Sequence, residues 1–189
     1  MDKHIQESNI DRAENSRYPE ISKILSTGKD RIAITGSVAF NLQAGVSFNK
    51  SIEVGNDIDI LEFSEALKEE GSQVKSLSNR FRDHTGKEIN FFSNQQHIKN
   101  ETTKDDVVFV QTEIGSVPCI SVRRIVEWEL ENMSQISNHS TSKYFPEQLR
   151  KRVDSLTRMS QFLGDSGVQK RIAPVLTKAN EYLDNQNDG

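Results

Sequence analysis

Arg31-Ile32-Ala33-Ile34-Thr35-Gly36-Ser37, followed downstream by Asn56-Asp57-Ile58-Asp59-Ile60-Leu61, decides how this chain is read. Ile32, Ala33 and Ile34 form an apolar run of strand length; Gly36-Ser37 breaks it, and Val38, Ala39, Phe40 and Leu42 resume at helical spacing. The pattern predicts strand, tight turn, helix. Glycine at such a turn lets the backbone approach a ligand closely, and the unpaired N–H groups of the new helix point at an anion, which suits a polyphosphate. Asp57 and Asp59 alternate with Ile58 and Ile60. On a strand, both carboxylates then face one side while the isoleucines enter the core. Such a pair repels itself unless a divalent cation sits between the oxygens, and Mg²⁺ commonly takes one or two carboxylates plus substrate phosphates.

This order of parts resembles the nucleotidyltransferase superfamily that includes DNA polymerase β, whose signature is a strand, Gly-Gly or Gly-Ser, a helix, and an acidic-x-acidic strand. It looks nearest to the minimal, toxin-like members of abortive-infection and toxin–antitoxin type. The resemblance implies that Gly36 and Ser37 hold the triphosphate of an NTP such as ATP, and that Asp57 and Asp59 bind two Mg²⁺ ions. The family adds a third carboxylate on a following strand, for which the candidate stretch is Lys87-Glu88-Ile89-Asn90-Phe91-Phe92. Asn90 stands where the family has an aspartate, and Glu88 lies two residues upstream on the same side of the strand. Glu88 is therefore expected to substitute as the catalytic acid; the alternative is a site weakened to nucleotide binding. Toxin-like members also carry a downstream lysine followed by a basic residue and an aspartate on a helix, which Lys143, Arg150, Lys151 and Asp154 match loosely. Lys143 would then contact the nucleotide phosphates as a point charge. A plain amphipathic helix explains the same residues.

The remaining chain supports this core. Its 189 residues, 34% hydrophobic, suffice for one domain or for a small core domain with an appended helical part, and a net charge of −4 with pI near 5.6 gives no global basic field for wrapping nucleic acid. The single cysteine, Cys119, is read as core. Met1 to Ser16 lacks an apolar leader segment, and no apolar run approaches the roughly 18 residues of a membrane span, so a soluble, cytoplasmic protein without membrane contact is expected. The segments predicted are a mobile tail over 1–16, a nucleotidyltransferase-like core over 17–120, a helical C-terminal unit over 121–184 and a tail over 185–189. The expected class is α+β, a small mixed sheet with flanking helices followed by helices.

Within the core, Pro19 opens a helix that Gly28 stops, Gly45 to Asn56 has loop composition, and Ser64 caps a helix running to Glu70. Short strands follow at 74–77, 80–82 and 88–92, with Asp83-His84-Thr85-Gly86 as a hairpin turn. Val107-Val108-Phe109-Val110 reads as a buried strand and Val117-Pro118-Cys119-Ile120 as an extended piece. Ser121 caps a helix to about Ile136, Pro146 opens an amphipathic helix that Gly164 closes, and a last helix is kinked or restarted at Pro174.

An acidic-x-acidic triplet alone is cheap, because 28 residues are Asp or Glu and Glu127-Trp128-Glu129 repeats the pattern inside a predicted helix. The histidines, His4, His84, His97 and His139, lack metal-ligand spacing. No Gly-x-Ser-x-Gly elbow and no P-loop lysine accompany Gly36-Ser37. The expected activity is transfer of an NMP from an NTP to an acceptor hydroxyl on a protein, tRNA or small molecule, with release of pyrophosphate. An antitoxin-like protein is an expected partner. The alternative is a degenerate nucleotidyltransferase fold acting as a nucleotide- or protein-binding module.

Overall fold

Successive residues of a strand point to opposite faces, so a run of apolar residues in a strand is satisfied where both faces are covered; Ile32–Thr35 forms such a strand, β1, with all four residues buried. The computed structural model describes residues 17–28, 31–55, 57–62, 81–82, 85–93, 102–134 and 145–187. The chain divides into two units, Met1–Ser121 and Val122–Gly189. In the first, α1 (Pro19–Gly28) precedes β1, and α2 (Gly36–Gln43) and α3 (Phe48–Val54) follow it. Then come β2 (Asp57–Glu62), β3 (Phe81–Arg82), β4 (Glu88–Ser93), a 3-10 turn (Lys104–Asp106), β5 (Val107–Thr112) and β6 (Gly115–Ile120).

The strand order is β3-β4-β2-β1-β6-β5. β1 runs antiparallel to β2 and parallel to β6, β2 parallel to β4, and the β3–β4 and β5–β6 pairs are antiparallel. The sheet is mixed and helices flank it, so the class is α+β, as expected. Ala33, Ile34, Ile58, Ile60, Ile89 and Cys119 are fully buried in it. Burial pushes the Cys119 thiol up to about 12, so this sulfur stays protonated and serves as core.

Two expectations fail in this unit. The stretch read as a loop between residues 45 and 56 contains α3. Its own composition is poor in helix signals, but Phe48 and Ile52 are fully buried, and Glu113 reaches back from the β5–β6 turn to accept the N–H groups of Phe48 and Asn49, each at 2.9 Å. Arg17 ties the entrance of α1 to the same helix through Asn49 and Glu53. Val107–Val110 was expected to be buried, yet β5 is an edge strand with Val108 and Phe109 exposed. An apolar run reports strand tendency and does not say how many neighbours the strand has.

In the second unit, α4 (Val122–Ser134), α5 (Phe145–Leu163) and α6 (Ser166–Asn187) pack against one another. Ile125, Val126, Leu130 and Met133 of α4 are buried, as are Leu149, Leu156 and Met159 of α5 and Ile172, Ala179 and Leu183 of α6. Asp165 starts α6 by accepting the N–H groups of Gly167 and Val168, and it pairs with Arg123 at 2.7 Å. The helix then runs unbroken through Pro174 rather than restarting there. Glu127 takes both Arg171 guanidinium nitrogens at 2.6 and 2.7 Å, and Glu129 takes Arg152 at 2.8 Å. The second acidic-x-acidic triplet is thereby absorbed into ion pairs. No helix among the described residues is long and apolar enough to cross a membrane. The helix expected after Ser64, the strand at 74–77, the tail at 1–16 and all four histidines lie outside the described residues.

Glu113→Ala removes the remote cap of α3 and should cost about 1 kcal/mol in urea unfolding. Burial raises the Glu113 carboxyl, but the N–H groups of Asn49 and Phe48 outweigh this and leave it below the usual glutamate range. Its contribution is therefore present above the pKa of an unfolded glutamate and lost as pH falls through the lower folded value. The wild-type advantage over Glu113→Ala should shrink at acid pH; an advantage that persists there would show that the cap does not depend on charge.

Candidate functional site

Each acidic side chain of β2 is placed by the strand's alternation: Ile58 and Ile60 are fully buried, while Asp57 and Asp59 on the opposite face are half-buried. Register completes the row. Asp59 lies opposite Thr35 on β1 and Asn90 on β4, and Asp57 lies opposite Glu88. These residues share one face of the sheet.

The turn after β1 meets the same face. Gly36 begins α2 at φ +66, and a methyl group built there would lie 3.0 Å from Asp59 Oδ2. Any other residue would be strained by its backbone and would press on the carboxylate. Thr35, at the N-cap, makes no side-chain cap to α2, and Ser37 in the first turn is exposed. The positive end of α2 thus starts beside an anionic pair without help from a Thr35 hydroxyl. Gln43 at the other end of α2 donates to the carbonyl of Ile120 at 2.8 Å, fixing the helix on the end of β6.

The approach to β2 is equally tight. A side chain at Gly55 would come within 2.9 Å of Val38 Cγ2, so the turn before Asp57 packs directly on α2. The Lys87 ammonium donates to the Gly55 carbonyl, tying the start of β4 to that turn. Lys50 of α3 pairs on the surface with Glu53 at 3.4 Å.

Asn90 is the residue that touches both acids. Its Nδ2 donates to Asp57 Oδ2 and to Asp59 Oδ1, each at 3.2 Å, while its Oδ1 is buried without a partner. Burial raises the Asp59 carboxyl from the ordinary 3.8 to about 6; the Asp57 charge adds to this, the Asn90 hydrogen bond opposes it, and Glu88 contributes least. That shift is on the order of 3 kcal/mol against the ionised form. Ile58 and Ile60, worth roughly 2 kcal/mol each on burial, are enough to hold the strand in place despite it.

The arrangement brings together Gly36, Asp57 and Asp59, with Ser37 one residue along the helix. Glu88 faces Asp57 by register, but among the described residues no three His, Cys, Asp or Glu side chains converge as a metal cluster. Lys143 lies outside the described residues; Arg150, Lys151 and Asp154 are on the exposed side of α5, where Lys151 pairs with Glu147 at 2.8 Å. The two carboxylates offer hard oxygen donors to a divalent cation, and the amide that bridges them through Nδ2 has a carbonyl oxygen without a partner. Sequence reasoning noted Asn90 as a departure but missed its bridging role, which only the β2–β4 register reveals.

No protein-family model and no curated protein sequence matches the chain. Among solved structures it is similar to an antigenic nucleotidyltransferase-like protein from Paracoccidioides brasiliensis, at 14% identity and a TM-score of 0.47, over 85% of this chain and 87% of that one.

An unfolded aspartate releases its proton near 3.8, whereas Asp59 in the fold keeps it to about 6. Its contribution to stability is therefore present below the unfolded value and lost as pH rises through the folded one. Asp59→Asn escapes that loss. Its melting temperature relative to wild type should climb by roughly several degrees between about pH 4.5 and about pH 7.5; a constant offset would mean that Asp59 ionises as freely in the fold as in water.

Proposed function

We propose that the chain is a divalent-cation-dependent nucleotidyltransferase, moving an NMP from an NTP to an acceptor hydroxyl with release of pyrophosphate. The observation that carries this reading is the convergence of Asp57 and Asp59 on one strand face with the glycine-initiated N-terminus of α2. Negative phosphates are favoured at a helix start, and cation ligands are favoured where two carboxylates face each other.

In this reading the backbone N–H groups at Gly36 and Ser37, with the exposed Ser37 hydroxyl, receive the triphosphate tail. Asp57 and Asp59 would hold Mg²⁺, which when bound neutralises phosphate charge and orients the α-phosphate. The acceptor hydroxyl oxygen attacks the α-phosphorus, the bond to pyrophosphate breaks, and Glu88, across the register from Asp57, takes the hydroxyl proton. Protein, tRNA and small molecules all offer such a hydroxyl; toxin-like function with an antitoxin-like partner belongs to the same proposal. Lys143 is proposed as a further phosphate contact from its sequence context alone.

A second reading, nucleotide binding without transfer, is favoured by one observation: an amide, Asn90, occupies the position facing Asp59 where a third acid would complete the set.

Thermal unfolding with Mg²⁺ and each NTP tests the site. One NTP should raise the wild-type melting temperature by several degrees only when metal is present, since a ligand at ~100 times its dissociation constant adds about 2.7 kcal/mol. Asp57→Asn/Asp59→Asn should lose the shift. Transfer of labelled NMP that falls by roughly two orders of magnitude or more in Glu88→Gln supports the enzyme; metal-dependent binding with no transfer supports the binding module; no shift with any NTP removes both.

A further inference from the structure

We propose that the Asn90 side-chain amide stands in for a cation between Asp57 and Asp59, so that a divalent ion enters together with a polyphosphate ligand rather than ahead of it. This rests on the metal and phosphate site proposed above and adds its order of loading.

The geometry is specific. Nδ2 has two protons, and the structure commits one to Asp57 Oδ2 and the other to Asp59 Oδ1, at 3.2 Å each. Asn90 is 7% exposed, and its Oδ1 is left without a partner. An unpaired buried acceptor is unfavourable, so the amide's orientation is set by the carboxylates rather than by its oxygen. A cation taking the same two oxygens has to displace both N–H donors, which leaves the polar hydrogens of Nδ2 facing a positive ion. For the ion to bind alone, its attraction to Asp57 and Asp59 has to offset the loss of both hydrogen bonds.

A polyphosphate changes the balance. Seated at the start of α2, next to Asp59 Oδ2, it brings its own anionic oxygens to the ion and repels both carboxylates unless the ion is present. Ion and polyphosphate then favour each other's binding by the same factor, as linkage requires. Asn90 is a positioning residue in this scheme: its two N–H donors hold the carboxylate pair while no phosphate is seated, and they set the threshold for metal entry.

The test uses Mn²⁺ on the full chain, with bound ion measured from the loss of the free-ion electron paramagnetic resonance signal and folding followed by circular dichroism. Asn90→Ala, which removes the competing amide, and Asn90→Asp, which replaces it with a third carboxylate, should each bind Mn²⁺ alone roughly tenfold tighter than wild type or more. Wild type should show a melting shift only with Mn²⁺ and an NTP together, whereas Asn90→Asp should already shift with Mn²⁺ alone. Should Asn90→Asp not fold, Asn90→Ala decides. Equal Mn²⁺ affinity in wild type and Asn90→Ala, or weaker binding in Asn90→Ala, overturns the proposal, the latter by making Asn90 an ordinary ligand. Mn²⁺ binding to no variant in any condition would instead remove the metal site itself, and with it the function proposed above.

Discussion

Two like charges sit side by side on one face of a strand whose other face is core, and the surrounding structure is arranged to keep them there. The strand cannot rotate to relieve the repulsion, because a shift of one residue would drive Asp57 and Asp59 into the interior in place of Ile58 and Ile60. It cannot slide, because β4 pairs with it along its whole length and β1 pairs with it from Asp59 to Glu62. Relief has to come from above the sheet. In this structure it comes from the Asn90 amide and from a helix start that brings its positive end to Asp59.

The contrast with Glu127-Trp128-Glu129 is instructive. Both triplets place two carboxylates with one residue between them, but in the helical pair each carboxylate meets a cationic partner at the surface, Glu127 with Arg171 and Glu129 with Arg152. The strand pair meets an amide and partial burial, and its energetics run the other way. A pattern of letters does not separate these cases. The secondary structure beneath the letters does: a helix spreads successive carboxylates around its circumference to reach different partners, whereas a strand holds alternate ones on the same side.

What was legible in the sequence follows from that. β1, the Gly36 turn, α2 and the alternation of β2 were readable because each is encoded within a few residues by apolar periodicity and a glycine. The juxtaposition of Asp57, Asp59 and Gly36 was readable for the same reason, with help from the family resemblance. α3 was not, because the carboxylate that caps it comes from Glu113, distant in sequence and adjacent only in the fold. The exposure of Phe109 was not, since the number of neighbours a strand acquires depends on topology rather than on its own residues. Asn90 falls between: its place beside the acids was anticipated, but the two hydrogen bonds that give it a role depend on parallel register with β2.

The order β3-β4-β2-β1-β6-β5 also has a bearing on how the chain reaches this state. β1 pairs with β2 across a modest stretch of chain, but its other edge is closed only by β6, with Ile34 opposite Cys119. During synthesis, the most apolar strand of the sheet therefore waits, one side unsatisfied, until nearly the whole first unit has left the ribosome. Long-range parallel closure of this kind slows folding and leaves an adhesive edge open in the interval. The segments that build the anionic face are joined early, and the strand that seals the core behind them arrives last.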